Sequence, residues 1–213
     1  MPTTSSEPHR DTELPDVTAL AKLGIGSAAL HGLSDVHAPA VGRDHPWIVR
    51  ASDERSRDAA VIAGSIVDPE IPVLTVADLG VLRRVRVEDD NSVDVDITPT
   101  YSGCPAVAAM TTDIRRALVV HGYSVVRVHT VLSPAWSTDD MTDVARDMLQ
   151  RFGIAPPGPA MHAGPVGLTL AVRCPHCGST RTTESGRFGS TSCKSMWTCT
   201  ECREPFDHFK TLH

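Results

Sequence analysis

The chain has 213 residues and a formal net charge of −6, and with only 4% aromatic residues its core has to be built from Val, Ile, Leu and Ala. The acidic balance argues against a nucleic-acid backbone as the main partner. No apolar run reaches the ~18 residues of a membrane span, so no membrane-spanning helix is expected. At ~100–200 residues per domain, the length fits one full domain and a small one.

Residues 1–51 read as a disordered or weakly structured extension. Pro, Ser, Thr, His and Gly dominate, and the apolar period fades after Leu23. No basic region followed by an apolar run opens the chain, so no secretory leader is expected. His31, His37 and His45 match no ligand spacing and read as solvated loop histidines.

From Ser52 the pattern sharpens. Ser52-Asp53-Glu54-Arg55 caps a predicted helix with Ala59, Ile62, Ala63 and Ile66 on its apolar face. Pro69 and Pro72 then forbid further helix. Val81 to Glu88 and Asn91 to Thr98 each alternate, with turn residues Glu88 to Asn91 between them, and read as a β-hairpin. Val107, Met110, Ile114 and Leu118 fall at helical spacing, and Gly122 follows where a left-handed stop belongs. Ser124 to Leu132 is a third strand, which the strand–helix–strand order makes parallel to the second. A last helix is predicted with Thr138 as N-cap, an apolar face of Met141, Val144, Met148, Leu149 and Phe152, and Gly153 as its end. These elements define an α/β domain over 52–153, with a three-stranded mixed sheet. A Pro- and Gly-rich linker is expected over 154–170 and a small module over 171–213.

That module carries Cys174-Pro175-His176-Cys177 and Cys199-Thr200-Glu201-Cys202, with 21 residues between the pairs. Each C-x-x-C forms a knuckle whose thiolates point at one ion, and two knuckles complete a tetrahedron. The polar segment between them is too poor in apolar residues to fold by itself, so metal must supply the folding energy. Zinc is the default for a closed four-sulfur site, and iron also accepts four thiolates. Four ligands leave no open position, which makes the site structural. His176 is expected to point outward, and Cys193 reads as packing, with a replacement ligand or reactive thiol as alternatives. With no export signal, the C-x-x-C pairs point to a reducing, cytoplasmic compartment.

Thr98-Pro99-Thr100-Tyr101-Ser102-Gly103-Cys104-Pro105 lies between the second strand and the helix. Pro105 suits the first helical position, which makes Cys104 the expected N-cap. There, free N–H groups and the helix dipole favour thiolate over thiol. Gly103 permits close approach of backbone or ligand. A buried filler cysteine is the alternative reading.

In combination, Asp68-Pro69-Glu70-Ile71-Pro72-Val73, Asp78-Leu79-Gly80-Val81-Leu82 and the Thr98–Pro105 stretch resemble the MIP18/DUF59 domain. The tail from Phe188 through Cys193-Lys194 to Cys199-x-x-Cys202-Arg203-Glu204-Pro205-Phe206-Asp207-His208-Phe209-Lys210 is similar to the PaaD family of phenylacetate degradation. The two matches cover residue 53 to the C-terminus. The resemblance implies a small MIP18-like α/β (α+β) domain followed by a zinc ribbon whose Cys174, Cys177, Cys199 and Cys202 hold structural Zn²⁺. It also implies a non-catalytic factor for iron–sulfur or metal assembly of the multicomponent phenylacetyl-CoA epoxidase, with the iron–sulfur reductase as chief partner. Cys104 matches the reactive thiol of that family and would carry a transient iron or iron–sulfur cluster.

Asp68, Glu70 and Asp78 are candidates to gather near Cys104, and turn-forming or capping carboxylates are their alternative reading. Thr98 and Thr100 would orient the cysteine loop, or serve only as strand-end residues. Trp136 reads as core packing. Two other functions stay open: a scaffold component that docks through its ribbon, and a Cys104-dependent acyl-transfer enzyme with His121 or His129 as base. Neither a nucleic-acid nor a membrane partner is expected, and a homodimer stays open.

Overall fold

The computed structural model describes residues 40–158 and 172–212. The expectations for residues 1–39 and for most of the linker therefore lie outside the described residues. In order, the elements are α1 (Glu54–Gly64), β1 (Leu82–Val87), β2 (Val93–Ile97), α2 (Ala106–Val120), β3 (Val126–Thr130), a 3₁₀ turn (Thr138–Asp140), α3 (Asp143–Arg151), β4 (Ile154–Ala155), β5 (Thr182–Gly186), β6 (Lys194–Cys199) and β7 (Pro205–Phe209).

Asp53 caps α1, its carboxylate accepting the Ser56 N–H at 2.9 Å. The Ser56 hydroxyl in turn accepts the Val87 N–H at 3.0 Å, tying the helix start to β1. β1 and β2 pair antiparallel, and β2 and β3 pair parallel from Val93↔Val126 to Ile97↔Thr130, as the pattern predicts. The alternation of β2 buries Val93, Val95 and Ile97 and leaves Asp94 and Asp96 partly exposed. Above this sheet, α2 buries Met110, Ile114, Ala117 and Leu118.

The packed domain starts earlier than the expected residue 52. Val41 and Ile48 belong to the main core, and the Trp47 indole N–H donates to the Asp140 carbonyl at 3.1 Å. Short turns place these few apolar side chains against α1, a contact that no periodic pattern announces.

The last helix also differs from its expected form. Thr138 opens a 3₁₀ turn capped by Ser137, and α3 begins only after a second cap, with Thr142 accepting the Ala145 N–H at 3.0 Å. Asp140 closes the capping box on Ser137, so the two starts compete and the chain bends at Met141. Gly153 ends α3 at φ 84°, as expected. Gly80 is needed for another reason: at φ 73°, a Cβ there would collide with the Asp140 backbone.

The start of the expected linker is a strand. Ile154 and Ala155 form β4, which pairs parallel with β7 and makes a four-stranded sheet ordered β4-β7-β6-β5. Part of the ribbon thereby shares the core of the α/β domain, while its knuckles keep a small cluster of their own. Phe209 and Cys193 lie in the main cluster, and Trp136 packs on Phe209 with ring centroids 6.0 Å apart. Trp136 is buried, as expected, and its N–H donates to the Leu79 carbonyl at 2.9 Å.

Candidate metal centres

The two C-x-x-C pairs converge. The sulfurs of Cys174, Cys177, Cys199 and Cys202 lie within 4.8 Å of one another. Cys174 and Cys202 stand 3.7 Å apart, and Cys177 and Cys199 3.6 Å. A tetrahedral ion with ~2.3 Å bonds to sulfur spaces its ligands by about 3.8 Å, so this donor set fits a four-coordinate thiophilic ion. Gly178 at φ 74° turns the first knuckle, and the Glu201 N–H reaches the Cys199 sulfur at 3.4 Å in the second. Four thiols this close resist losing their protons together. Although the N–H of Glu204 favours its thiolate, Cys202 is pushed up to about 12 by burial and by the sulfurs of Cys177, Cys199 and Cys174. A dication removes that conflict. His176 is exposed, as expected, and faces Phe206 edge-on rather than the sulfurs.

The second centre is built on Cys104. The cap residue of α2 is Pro105, already at helical φ −68° and ψ −25°, and not Cys104 as expected; Cys104 stands one residue before it. Its backbone N–H donates to the Tyr101 carbonyl at 3.2 Å. Gly103 has φ 94° with no atom within 4 Å of where a Cβ would lie, so the loop needs glycine for its backbone conformation and no neighbouring backbone approaches it.

The expected thiolate at Cys104 is corrected. Burial pushes the thiol up, and the charges of Glu70 and Asp68 add to it. The Ala106 N–H and the Thr100 hydroxyl oppose the rise and are outweighed. The helix start alone favours the anion, but the half-buried position and two carboxylates favour the proton.

Asp68 and Glu70 thus face the cysteine electrostatically while also shaping their own loop. One Asp68 oxygen accepts the N–H groups of Glu70 (2.6 Å) and Ile71 (3.0 Å). Burial raises Asp68 against these hydrogen bonds and the Lys194 charge. Burial and the Asp68 charge raise Glu70.

Asp78 is occupied elsewhere. It accepts the Thr75 hydroxyl at 2.5 Å, lies 3.4 Å from the Thr142 hydroxyl and 3.4 Å from the His45 Nε2, and so ties α3 to the preceding loop. Thr98 is buried, and its hydroxyl has no hydrogen-bond partner among the described residues. His121 hydrogen-bonds the Ala117 carbonyl at 2.8 Å at the far end of α2, and His129 stands 3.1 Å from Asp94 on β3.

The ribbon adds residues that the motif around Cys104 does not announce. Lys194, only 4% exposed, is near enough to act on Asp68, Glu70 and Cys193, with its Nζ 3.9 Å from Asp207. Ser192 is near enough to the Tyr101 phenol to act on its proton, which sets the ribbon beside the cysteine loop. Cys193 is packed, as expected, and bonds the Thr191 hydroxyl at 3.0 Å. Only the short Phe188–Lys194 stretch carries these side chains, and it has no ligand spacing of its own.

These two centres match known proteins. Residues 64–130 match the iron-sulfur cluster assembly protein family, and residues 159–210 match the PaaD zinc beta ribbon domain. Over 151 residues the chain is 47% identical to an Escherichia coli K12 protein named as a putative 1,2-phenylacetyl-CoA epoxidase subunit, covering 71% of this chain and 90% of that protein. This chain belongs to the PaaD family. Another relative, the Fe-S protein maturation auxiliary factor of Porphyromonas gingivalis, is 33% identical over 93 residues, 43% of this chain and 88% of that one. A solved DUF59 domain from Bacillus anthracis aligns with 24% identity and a TM-score of 0.42 over 44% of this chain and 90% of its own. Among the described residues no helix is long and apolar enough to cross a membrane.

Proposed function

We propose that this protein is a non-catalytic maturation factor that supports iron–sulfur cluster or metal assembly of the phenylacetyl-CoA 1,2-epoxidase, with the iron–sulfur reductase of that system as its client. The observation that carries the reading is the half-buried Cys104 thiol set among Asp68 and Glu70, on a chain whose relatives are named as an epoxidase subunit and as Fe–S maturation factors. A thiol whose proton is retained by neighbouring carboxylates loses it to a cation, because the same negative field that opposes the free thiolate stabilises bound metal. Cys104 is the transfer ligand, Asp68 and Glu70 attract the ion, and Thr100 orients the sulfur. Thr98 supports the loop, and Asp78 supports the fold beneath it. The ribbon ion is structural zinc, held by Cys174, Cys177, Cys199 and Cys202, and the site of action is the cytoplasm.

The test is a strain whose only copy carries Cys104→Ser. The reductase purified from it should hold less than about a tenth of its normal iron and labile sulfide, with reductase polypeptide present at the normal level. Full cluster content would remove the reading.

A second reading, a scaffold component that docks through the ribbon, is favoured by Phe188, 72% exposed, and by the partly exposed Met196. It expects Cys104→Ser to be silent and loss of Cys202 to abolish co-purification with the oxygenase. The acyl-transfer alternative loses His121 as its base, since that residue lies a whole 15-residue helix, roughly 22 Å, from Cys104, and His129 is engaged with Asp94.

A further inference from the structure

The loop that joins β5 to β6 holds a large aromatic ring in water, and it holds it rigidly. Phe188 is 72% exposed. Around it the Gly189 N–H donates to the Lys194 carbonyl at 2.9 Å, and the Lys194 N–H to the Thr191 carbonyl at 3.1 Å. The Ser190 hydroxyl donates to Asp207 at 2.8 Å, and the Lys210 Nζ to the Ser192 carbonyl at 2.8 Å. The same Nζ stands 4.5 Å from the centre of the Phe188 ring. Gly189 packs so closely on β7 that a Cβ there would come 2.6 Å from the Asp207 carboxylate. The strand entering the loop is bulged between Glu184 and Gly186, a device that re-aims side chains. Met196 and the Phe188 carbonyl both lie within 4 Å of where a Gly186 Cβ would be, so exposed Met196 is a neighbour of the loop. A loop with this many fixed bonds loses little further freedom when a partner covers its ring.

Charge selects the partner. Residues 172–212 carry six Arg and Lys against four Asp and Glu, whereas the whole chain carries 20 against 26. The ribbon is thus the cationic end of an acidic protein, and exposed Arg187 and Lys210 flank the Phe188 ring. We propose that the Phe188 loop is the surface that docks the client protein, with Phe188 and Met196 entering an apolar pocket and Arg187 and Lys210 meeting carboxylates on its rim. The ring supplies the anchor that resists dissociation, and the two cations supply steering and orientation. A second copy of this chain fits less well, because a twofold contact through this face would set Arg187 and Lys210 against their own copies. The other end of the loop explains why docking here serves transfer. Cys193 lies in the core that Tyr101 and Cys104 border, so a client seated on Phe188 is brought to the side of the molecule that carries the cysteine loop.

This inference rests on the maturation reading, which names the iron–sulfur reductase as client. The full chain, with zinc in its ribbon and a fluorescent label at its N-terminus, is titrated with purified reductase and followed by anisotropy. Phe188→Ala should weaken binding at least about tenfold. Arg187→Glu should slow association and flatten the loss of affinity that added salt causes in the parent. Cys104→Ser should bind as the parent does. Zinc content and near-ultraviolet circular dichroism check that the ribbon stays folded, and Met196→Ala, which leaves the loop untouched, should weaken binding in the same direction. Equal affinity of parent and Phe188→Ala overturns the inference, and so does a parent that does not bind the reductase. A parent that sediments as a dimer, and a Phe188→Ala variant that sediments as a monomer, would give the face to a second copy and overturn it too. The maturation reading is decided separately, by the cluster content of reductase from the Cys104→Ser strain. Docking through Phe188 with full cluster content in that strain would keep the surface and remove the maturation reading alone.

Discussion

The chain carries sulfur in two settings that differ in nearly every physical respect. In the ribbon, four thiols lie within 4.8 Å of one another on two knuckles, and little apolar surface surrounds them. At the cysteine loop, Cys104 stands half-buried at the edge of a large aliphatic core, where burial first and the nearby carboxylates second push its thiol up. The first arrangement needs its ion in order to exist. On the maturation reading the second is suited to gain and lose one, and the two kinds divide the work, because a ligand that also holds the fold together cannot let go.

The contrast is broken most severely at the knuckles. Cys199→Ser, or removal of the ion by a strong chelator, withdraws the ~10–16 kcal/mol that structural metal contributes to a small unit. Amides of β5 and β6 should then lose hydrogen-exchange protection while β1–β3 retain theirs; protection that survives metal removal would mean the ribbon stands on packing alone. The next effect lies where the domains meet. Phe209 is 1% exposed against Trp136, so Phe209→Ala should cost about 3–5 kcal/mol and abolish much of the near-ultraviolet tryptophan signal. Equal denaturation midpoints for variant and parent would show that the two cores are energetically separate.

A third effect follows pH. Burial pushes His208 down to about 4 from an ordinary value of 6.5. The unfolded chain therefore takes up a proton near pH 6.5 and the folded chain only near pH 4. Stability is complete above 6.5, falls by about 3 kcal/mol as pH drops to 4, and levels off below. His208→Gln should flatten that part of the curve; an unaltered slope assigns the acid sensitivity to the metal thiolates instead. The smallest change in stability belongs to Cys104→Ser, which exchanges one atom at a half-buried position and should shift the unfolding free energy by less than ~1 kcal/mol. In the metal-free site, the parent thiol should alkylate half-maximally at a higher pH than an unperturbed cysteine, because burial raises it. A midpoint below that of a free cysteine would restore the helix-start thiolate.

The strands and the knuckles were legible because short-range rules control them. Val93, Val95 and Ile97 alternate with aspartates, and a C-x-x-C pair admits few geometries. The α3 boundary was misplaced because Thr138 and Thr142 are both good caps, and the choice between them depends on the Asp140 box and the Thr142 contact with Asp78. Val41 and Ile48 were missed because isolated apolar residues among turns carry no period. Of the carboxylates expected beside Cys104, Asp68 and Glu70 act on it, while Asp78 is turned towards Thr75 and His45. Sequence spacing could not separate them, since all three lie in the same run of loops.

From the amino-acid order alone came the hairpin, the parallel crossover, the four-sulfur site and a lone cysteine ahead of a helix. All of these depend on neighbours in the chain or on a ligand pattern fixed by covalent spacing. Only the tertiary structure decided the protonation of that cysteine and its company. A thiol's affinity for its proton depends on burial and on charges that arrive from distant segments. Here Asp68 and Glu70 come from the loop before β1, and Lys194 of the ribbon acts in turn on both carboxylates. The β4–β7 pairing and the Phe209 contact that deliver the ribbon are long-range interactions, which no local pattern encodes.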